Sequence, residues 1–397
     1  MSGLQAPVLV LNAGSSSIKG AIDRGEAPPL MAQADLRAGE TTLSFAAAGD
    51  ESGADLRTEV LPATSGDRWL QALERLLDWL CNRSGPSAIA AVGHRVVHGG
   101  RTFSAPVQIT PEVLAVIEGL TPLAPLHQPH GLAGIRAATK RLPHVPQIAC
   151  FDTAFHRTCP DVARRCGLPR VWHDCGIERY GFHGLSYQSI VEQLPAASGG
   201  LPRRLVIAHL GAGASMAAVL DGRSVATTMG FTPLDGLLMS TRCGSLDPGV
   251  VLHLAEGYGL SAAEIGRLLS RESGLLGVSG ISGDMRELLE SDQLAAREAV
   301  ELFCYRAVAA VGSLAASLGG LDAIVFTAGI GERAVAVRER ICRGLAWLGL
   351  DLDHAANQTH GPRISTAASG VAAWVLATDE AGVIAHSTRV ALAHTNG

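Results

Sequence analysis

Lysine is nearly missing from this 397-residue chain: Lys19 and Lys140 are the two lysines among 32 basic residues, the rest being arginine. Basic residues form no run, and the net charge is -5 with a pI near 6.3, which argues against a nucleic-acid surface built on clustered positive charge. Aromatic residues make up only 4% of the chain, so apolar volume has to come from Ala, Val, Leu and Ile. No apolar run approaches the ~20 residues of a membrane span, and the opening MSGLQAP has neither a basic segment nor a cleavage site. Neither membrane insertion nor secretion is expected. The cysteines (Cys81, Cys150, Cys159, Cys166, Cys175, Cys243, Cys304, Cys342) form no CxxC or other zinc spacing. They read as reduced, mostly buried thiols of a cytoplasmic protein.

What is present is an ordinary α/β balance, 47% hydrophobic and 17% charged, in a chain long enough for two to three domains. The runs VLVLN (8–12), IAAVGHRVVH (89–98), LVIAHL (205–210) and AIVFTAG (323–329) read as strands that end at Gly or polar residues. Such near-continuous apolar strands suit a sheet covered on both faces. Between them, helical patterns follow Asp67 (WLQALERLLDWL), Thr110 with Pro111 at the first helical position, and Ser261 (AAEIGRLLS). The segment 284–318 predicts two helices.

An internal echo is more informative. VLVLNAGSSSIKGAI near the start resembles LVIAHLGAGASMAAV in the middle, with Ser17 falling on Ser215, half the chain away. Each copy reads as strand, small-residue turn, strand. A Walker A loop is thereby excluded, because it needs GxxxxGK[ST] leading into a helix. One copy alone is compatible with a plain hairpin; two copies point to a duplicated domain presenting paired turns to a shared cleft.

Dense polar clusters close several of the apolar runs. GHRVVHGGR (93–101) puts Arg95 inside a strand, where it requires an anion or a carboxylate. A structural salt bridge answers that need as well as a substrate does. STRCGSLDPG places Arg242 in a second glycine-containing loop. PLHQPH carries His127, FDTAFH carries Asp152, RYGFHGLSY carries His183 and AHLGAGAS carries His209. A lone histidine is more often a hydrogen-bonded core or loop residue than a catalyst. In TDE (378–380), Asp379 and Glu380 are either magnesium-directed carboxylates or simply an acidic helix start. FTAGIGE (326–332) would let a phosphate or a flat ring approach the backbone closely.

Taken together, VLVLNAGSSSIKG, GHRVVHGG, APLHQPH, FDTAFH, RYGFHG, HLGAGAS, FTPLDGLLMSTRCGSLDPG, ESGLLGVSGISGDMREL, FTAGIGE and TDE resemble the acetate kinase family in order and spacing, over nearly the whole chain. That family belongs to the acetate and sugar kinase, heat-shock protein and actin superfamily. The resemblance implies an α/β fold of two duplicated ribonuclease H-like domains with the active site in the cleft between them. The expected domains are 1–151 with 383–397, and 152–382.

It further implies reversible transfer of the γ-phosphoryl group of ATP to acetate, giving acetyl phosphate and ADP, with Mg²⁺ or Mn²⁺ as cofactor. Arg95 and Arg242 match the family's arginine pair on the carboxylate and the transferring phosphoryl group, and His183 a donor to that group. Asp152 matches an aspartate near the acceptor and the metal; Asn12 and Glu380 match the metal site; His127 matches a positioning histidine. Asn12, Ser15, Ser17 and Lys19 match the first phosphate turn, and His209, Leu210, Gly211, Ala212 and Gly213 the second. Asp284, Met285, Arg286, Gly329, Ile330 and Gly331 match the nucleoside side. Val97, Leu126, Phe182 and Pro233 fall where the family builds a small acyl pocket, leaving propionate kinase as the alternative.

This chain departs from the family pattern at Gln128, Leu185, Tyr187, Ala212 and Arg333. Two readings of another class stand beside the kinase. An ATP-switched binding protein is disfavoured by the arginine pair and by the lack of a peptide-binding domain, and a serine hydrolase by the strand that follows Ser215. The family is dimeric, which implies a homodimer, with no nucleic-acid or membrane partner.

Overall fold

The computed structural model describes residues 6–14, 17–37, 40–47, 57–61, 67–85 and 88–395. The chain forms two compact units, residues 1–154 with 379–397, and residues 155–378.

The first unit contains β1 (Val8–Ala13), β2 (Ser17–Arg24), β3 (Ala27–Arg37), β4 (Glu40–Ala47), β5 (Arg57–Leu61), β6 (Ala91–Val96), β7 (Val107–Gln108) and β8 (Gln147–Phe151). They form one sheet in the order β5-β4-β3-β2-β1-β6-β8-β7. β1 and β2 are an antiparallel hairpin with Asn12 opposite Lys19, whereas β1, β6 and β8 run parallel. Helix Arg68–Ser84 is capped by the Asp67 side chain and buries Leu73, Leu76, Leu77 and Leu80. These meet Leu9, Leu11, Ile18 and Ile22 of the hairpin in one apolar cluster. Helix Glu380–Thr395, from the far end of the chain, seats on β1 and β6. Gly93 permits this: a β-carbon there would lie 2.3 Å from Thr388 Oγ1 and 2.6 Å from Ile384.

The second unit contains β9 (Arg204–Leu210), β10 (Ala214–Leu220), β11 (Arg223–Thr227), β12 (Ala323–Thr327) and β13 (Ala372–Val375), in the order β11-β10-β9-β12-β13. Again an antiparallel meander, β9 to β11, is followed by parallel strands, β12 and β13. The stretch β3-β2-β1-β6-β8 of the first unit has the same order and the same strand directions. This is the duplication that the 198-residue offset between Ser17 and Ser215 announces; the α/β fold of two related domains stands. Buried Tyr187, Ile190 and Leu194 of helix Gly184–Ser198 pack on one face of the second sheet with Leu205, Ile207, Val219 and Val325.

Segment 284–318 does divide into two helices, Met285–Glu290 and Leu294–Leu318. By length and composition alone the second could cross a membrane, although Arg297, Glu298, Glu301 and Arg306 interrupt its apolar run. It is a core helix instead: Ala299, Phe303, Ala307, Val311 and Leu314, spaced one turn apart, are buried, and the helix packs on β9, β10 and β11. All eight cysteines are free thiols, five of them buried.

Candidate active site

In the first unit the polar residues converge where the parallel strands end. Asn12 lies near the end of β1, Arg95 near the end of β6, Asp152 directly after β8, and Glu380 at the start of its helix. Arg95 grips Asp152 with its planar fork: Nε donates to both carboxylate oxygens at 3.0 and 3.1 Å, and Nη2 donates to Oδ2 at 2.6 Å. Nη1 donates to Asn12 Oδ1 at 3.1 Å, and Asn12 Nδ2 donates to Glu380 Oε2 at 3.2 Å. One guanidinium, two carboxylates and one amide therefore form a continuous network. Burial works against the charge on Arg95, but Asp152 and Glu380 outweigh it and hold the guanidinium protonated more firmly than a free arginine. The TDE motif resolves into two roles. Asp379 accepts from the Gly382 amide as a helix cap, which leaves Glu380 to the network.

The loop after β6 is held by Gln128, one of the departures from the family pattern. Its side chain is buried, accepts from the His98 amide and donates to the carbonyls of His98 and Ile117. His94 is buried against Gln147 at 2.6 Å, and burial lowers both His94 and His98 to about 4, so both are neutral near pH 7. His127 caps helix Gln128–Arg141 through its backbone.

The second unit assembles a cluster of a different kind. His183 has left-handed backbone geometry, φ 60°, at the head of helix Gly184–Ser198; histidine tolerates this better than most side chains. Its ring stacks on His209, centroids 4.1 Å apart and planes 22° apart. Each imidazole has a serine on Nδ1, Ser215 at 2.8 Å for His183 and Ser186 at 2.8 Å for His209. The turn between β9 and β10 carries Gly211, Ala212 and Gly213. A β-carbon on Gly213 would lie 3.4 Å from His183 Nε2 and 4.0 Å from Arg242 Nη1, so both nitrogens border that turn.

Arg242 Nη1 donates to the Pro233 carbonyl at 3.1 Å, and burial pushes this guanidinium below its usual pKa. The ESGLLG segment buttresses the Arg242 loop. The Leu275 amide donates to Met239 O, the Leu276 amide to Ser240 O and the Ser273 amide to Thr241 O. Gly274, at φ 67°, has no room for a side chain, since its β-carbon would meet Met239 O at 2.2 Å.

Of the remaining expected residues, Ser15 lies outside the described residues. Ser17 and Lys19 begin β2, with Lys19 exposed. Leu210 is buried and Ala212 exposed at the second turn, whose Ala212 carbonyl accepts from the Ser240 amide. Asp284 caps helix Met285–Glu290 and chelates Arg286 at 2.6 Å, while Met285 is buried. Gly329, Ile330 and Gly331 lie in the short helix Ala328–Arg333 that follows β12, and exposed Arg333 ends that helix. Val97 and Leu126 belong to the first unit; Phe182, buried, and Pro233 belong to the second.

The profile of the acetokinase family matches residues 7–386. This chain belongs to the acetokinase family. An acetate kinase of Rhodopseudomonas palustris (strain ATCC BAA-98 / CGA009) is 51% identical over 97% of the chain and 98% of its own length. One from Rhizobium meliloti is 45% identical over 98% and 99%. The fold of this acetokinase-family chain resembles the Porphyromonas gingivalis acetate kinase crystal structure at TM-score 0.87 and 36% identity, covering 98% of this chain and 100% of that one. It resembles a Francisella tularensis propionate kinase at TM-score 0.88 and 36% identity, covering 97% and 99%.

Sequence reasoning gives no role to four residues that the geometry singles out. Ser186 and Ser215 hold the two imidazoles, and Tyr187 bonds Ser215. Arg338, fully buried, donates to the carbonyls of Gly331 and Glu332 and so pins the end of the helix that carries the expected nucleoside residues. Ser215 is visible as the echo of Ser17, and Tyr187 as a departure from the family pattern. Arg338 leaves only an arginine at a buried position of a helical repeat.

Proposed function

We propose that this protein is an acetate kinase that transfers the γ-phosphoryl group of ATP to a carboxylate oxygen of acetate, reversibly, giving acetyl phosphate and ADP. The observation that carries this reading is the 51% identity to a curated acetate kinase across nearly the full length of both chains. The chemistry of the two clusters supports it. A carboxylate and a triphosphate repel each other, so the site has to supply cations that stay charged and hold the reactants in line. Arg95, locked by Asp152 and Asn12, suits the acceptor carboxylate; Arg242, borne on a loop clamped by backbone bonds, suits the transferring phosphoryl group. His183 donates to an equatorial phosphoryl oxygen as charge redistributes. A carboxylate oxygen bonds to phosphorus as the bond to the β-phosphate oxygen breaks, with no covalent enzyme intermediate.

Magnesium is the cofactor we assign, with manganese as a possible substitute. Among the described residues no three His, Cys, Asp or Glu side chains are grouped to cage a metal. Asn12 and Glu380, joined at 3.2 Å, offer hard oxygen donors that fit an ion delivered on the nucleotide's phosphates. When bound, the ion neutralises phosphate charge. We also read the protein as a cytoplasmic homodimer without nucleic-acid or membrane partners, in keeping with its slightly acidic pI, its free thiols and the prevalence of two-fold dimers.

Trapping acyl phosphate with hydroxylamine in the presence of ATP and Mg²⁺ tests the reading. Acetate should give hydroxamate, and His183→Ala should lower its yield by about 10²-fold. No product with any short acid would reject it. The likeness to a propionate kinase favours a second substrate, and a methylene is worth only ~1 to 3 kcal/mol in such a pocket. Propionate should therefore be turned over, more slowly than acetate.

A further inference from the structure

Tyr187 stands one helical turn after His183, and its hydroxyl meets Ser215 Oγ, the atom that also meets His183 Nδ1. Tyr187 and Ser215 are both fully buried, and the tyrosine ring is wedged against Phe155 and His156. We propose that Tyr187 is a positioning residue that, through Ser215, fixes the tautomer of His183 so that Nε2 carries the proton and faces the transferring phosphoryl group. The inference rests on the role given to His183 in the proposed function.

The direction of the chain follows from counting hydrogens. A phenol has one hydrogen, and Ser215 Oγ is the partner Tyr187 has among the described residues. If His183 Nδ1 donated to Ser215, then either the serine donates to the phenol and the phenol's hydrogen lies buried without an acceptor, or the serine accepts from both and its own hydrogen does. Either arrangement costs about 1–3 kcal/mol. The opposite order satisfies every group: Tyr187 donates to Ser215, Ser215 donates to Nδ1, and the imidazole proton resides on Nε2. Burial supports this by pushing the Tyr187 phenol above its usual pKa, which keeps it a donor.

Within the second unit, the groups facing the His183 ring include Ser215 from β10, His209 stacked from β9, Tyr187 from its own helix, and Arg242 across the Gly213 turn. A neutral imidazole with the wrong tautomer would aim a lone pair at a phosphoryl oxygen. With the right one it aims an N–H.

Tyr187→Phe removes one oxygen and keeps the ring. Ser215 then loses the donor that polarises it toward Nδ1, so its hydroxyl is less firmly committed to donating there and the neutral ring shifts toward the unproductive tautomer. We expect kcat to fall about 10-fold at pH 8 with both KM values within about two-fold. The deficit should shrink on acidification, since a protonated imidazole carries a hydrogen on Nε2 whichever tautomer the neutral ring prefers. Ring ¹⁵N spectra of histidine-labelled enzyme should show Nε2 protonated in the parent and a mixed signal in the variant. Should Tyr187→Phe not fold, Ser215→Ala is read the same way.

Unchanged ¹⁵N shifts would overturn the relay, as would a deficit of equal size at every pH, which a packing role would produce. Full activity in His183→Ala would reject the role of His183 itself. The ¹⁵N signal would then still decide whether the relay exists.

Discussion

At the end of β1, Asn12 stands among charges; at the equivalent end of β9, His209 stands among rings and hydroxyls. The two hairpins share strand order and direction, yet they hold a cation by opposite means. Arg95 is compensated by Asp152 and Glu380, which raise its hold on the proton. Arg242 is stripped of water and leans on the Pro233 carbonyl, which leaves its charge costly. A compensated cation is a rigid holder. A costly one gains most when an anion arrives, which is what a site that stabilises developing negative charge requires.

Removing the two arginines is the most direct way to break this contrast. Arg95→Ala and Arg242→Ala should each reduce acetyl phosphate formation by about 10³-fold, because on the proposed assignment each leaves one of the two reactant anions without its cation. Their stabilities should diverge. Arg95→Ala takes the paired guanidinium from Asp152, a carboxylate 2% exposed, and should cost about 3 kcal/mol or more in urea unfolding. Arg242→Ala removes a charge that burial already disfavours and should cost less than about 1 kcal/mol. Equal losses of stability would show that Arg242 is compensated as fully as Arg95.

The supports of the two arginines differ in the same sense, and milder changes sharpen the comparison. In the second unit the loop is clamped by backbone, so Gly274→Ala forces a β-carbon onto Met239 O at a left-handed position. It should lower kcat about 10-fold and cost about 2–4 kcal/mol, because the clamp and the Arg242 loop have to separate. In the first unit the loop after β6 is held by side chains, Gln128 on the His98 backbone and Thr153 on the Gly99 amide. Gln128→Ala should cost about 2 kcal/mol in thermal unfolding and leave kcat within about three-fold, since Arg95 is anchored independently by Asp152. A larger catalytic loss for Gln128→Ala than for Gly274→Ala would reverse the assignment.

How much of this was legible beforehand depends on the kind of signal. The strand runs, the capped helices after Asp67, Thr110 and Ser261, and the duplicated hairpin are all local patterns with a fixed period or a fixed turn chemistry. They could be read from the residues alone. Glu380 could be named only through the family motif, because nothing local to TDE says which carboxylate meets an asparagine 368 residues away. Ser186 and Arg338 were not legible, and Tyr187 was marked only as a departure from the family pattern, without its partner. Their partners are set by strand pairing and by helix seating, and a serine or an arginine in a helical repeat has no periodic mark. The helix Leu294–Leu318 shows a limit of composition: a helix with one face packed on a sheet and against neighbouring helices can match a membrane span in length and hydropathy.

The smallest effect concerns the buried histidines, and it too separates the units. His94 and His98 in the first and His156 in the second are each held neutral by burial, with pKa values lowered to about 4 against an ordinary value near 6.5. His156 also donates from Nε2 to the Phe182 carbonyl, directly before His183. The folded chain binds fewer protons than the unfolded chain between those two values, so stability falls as pH drops through that window. Above about pH 6.5 the three contribute no slope, and below about 4 their loss is complete. Two such groups against one make the first unit the steeper. Melting temperature should therefore fall between pH 6.5 and 4. His94→Gln, which keeps a polar group facing Gln147 but cannot titrate, should flatten that fall more than it changes the melting temperature at pH 7.5. If acidification across this window left the melting temperature unchanged, or His94→Gln left its slope intact, the neutral state assigned to these rings would be wrong.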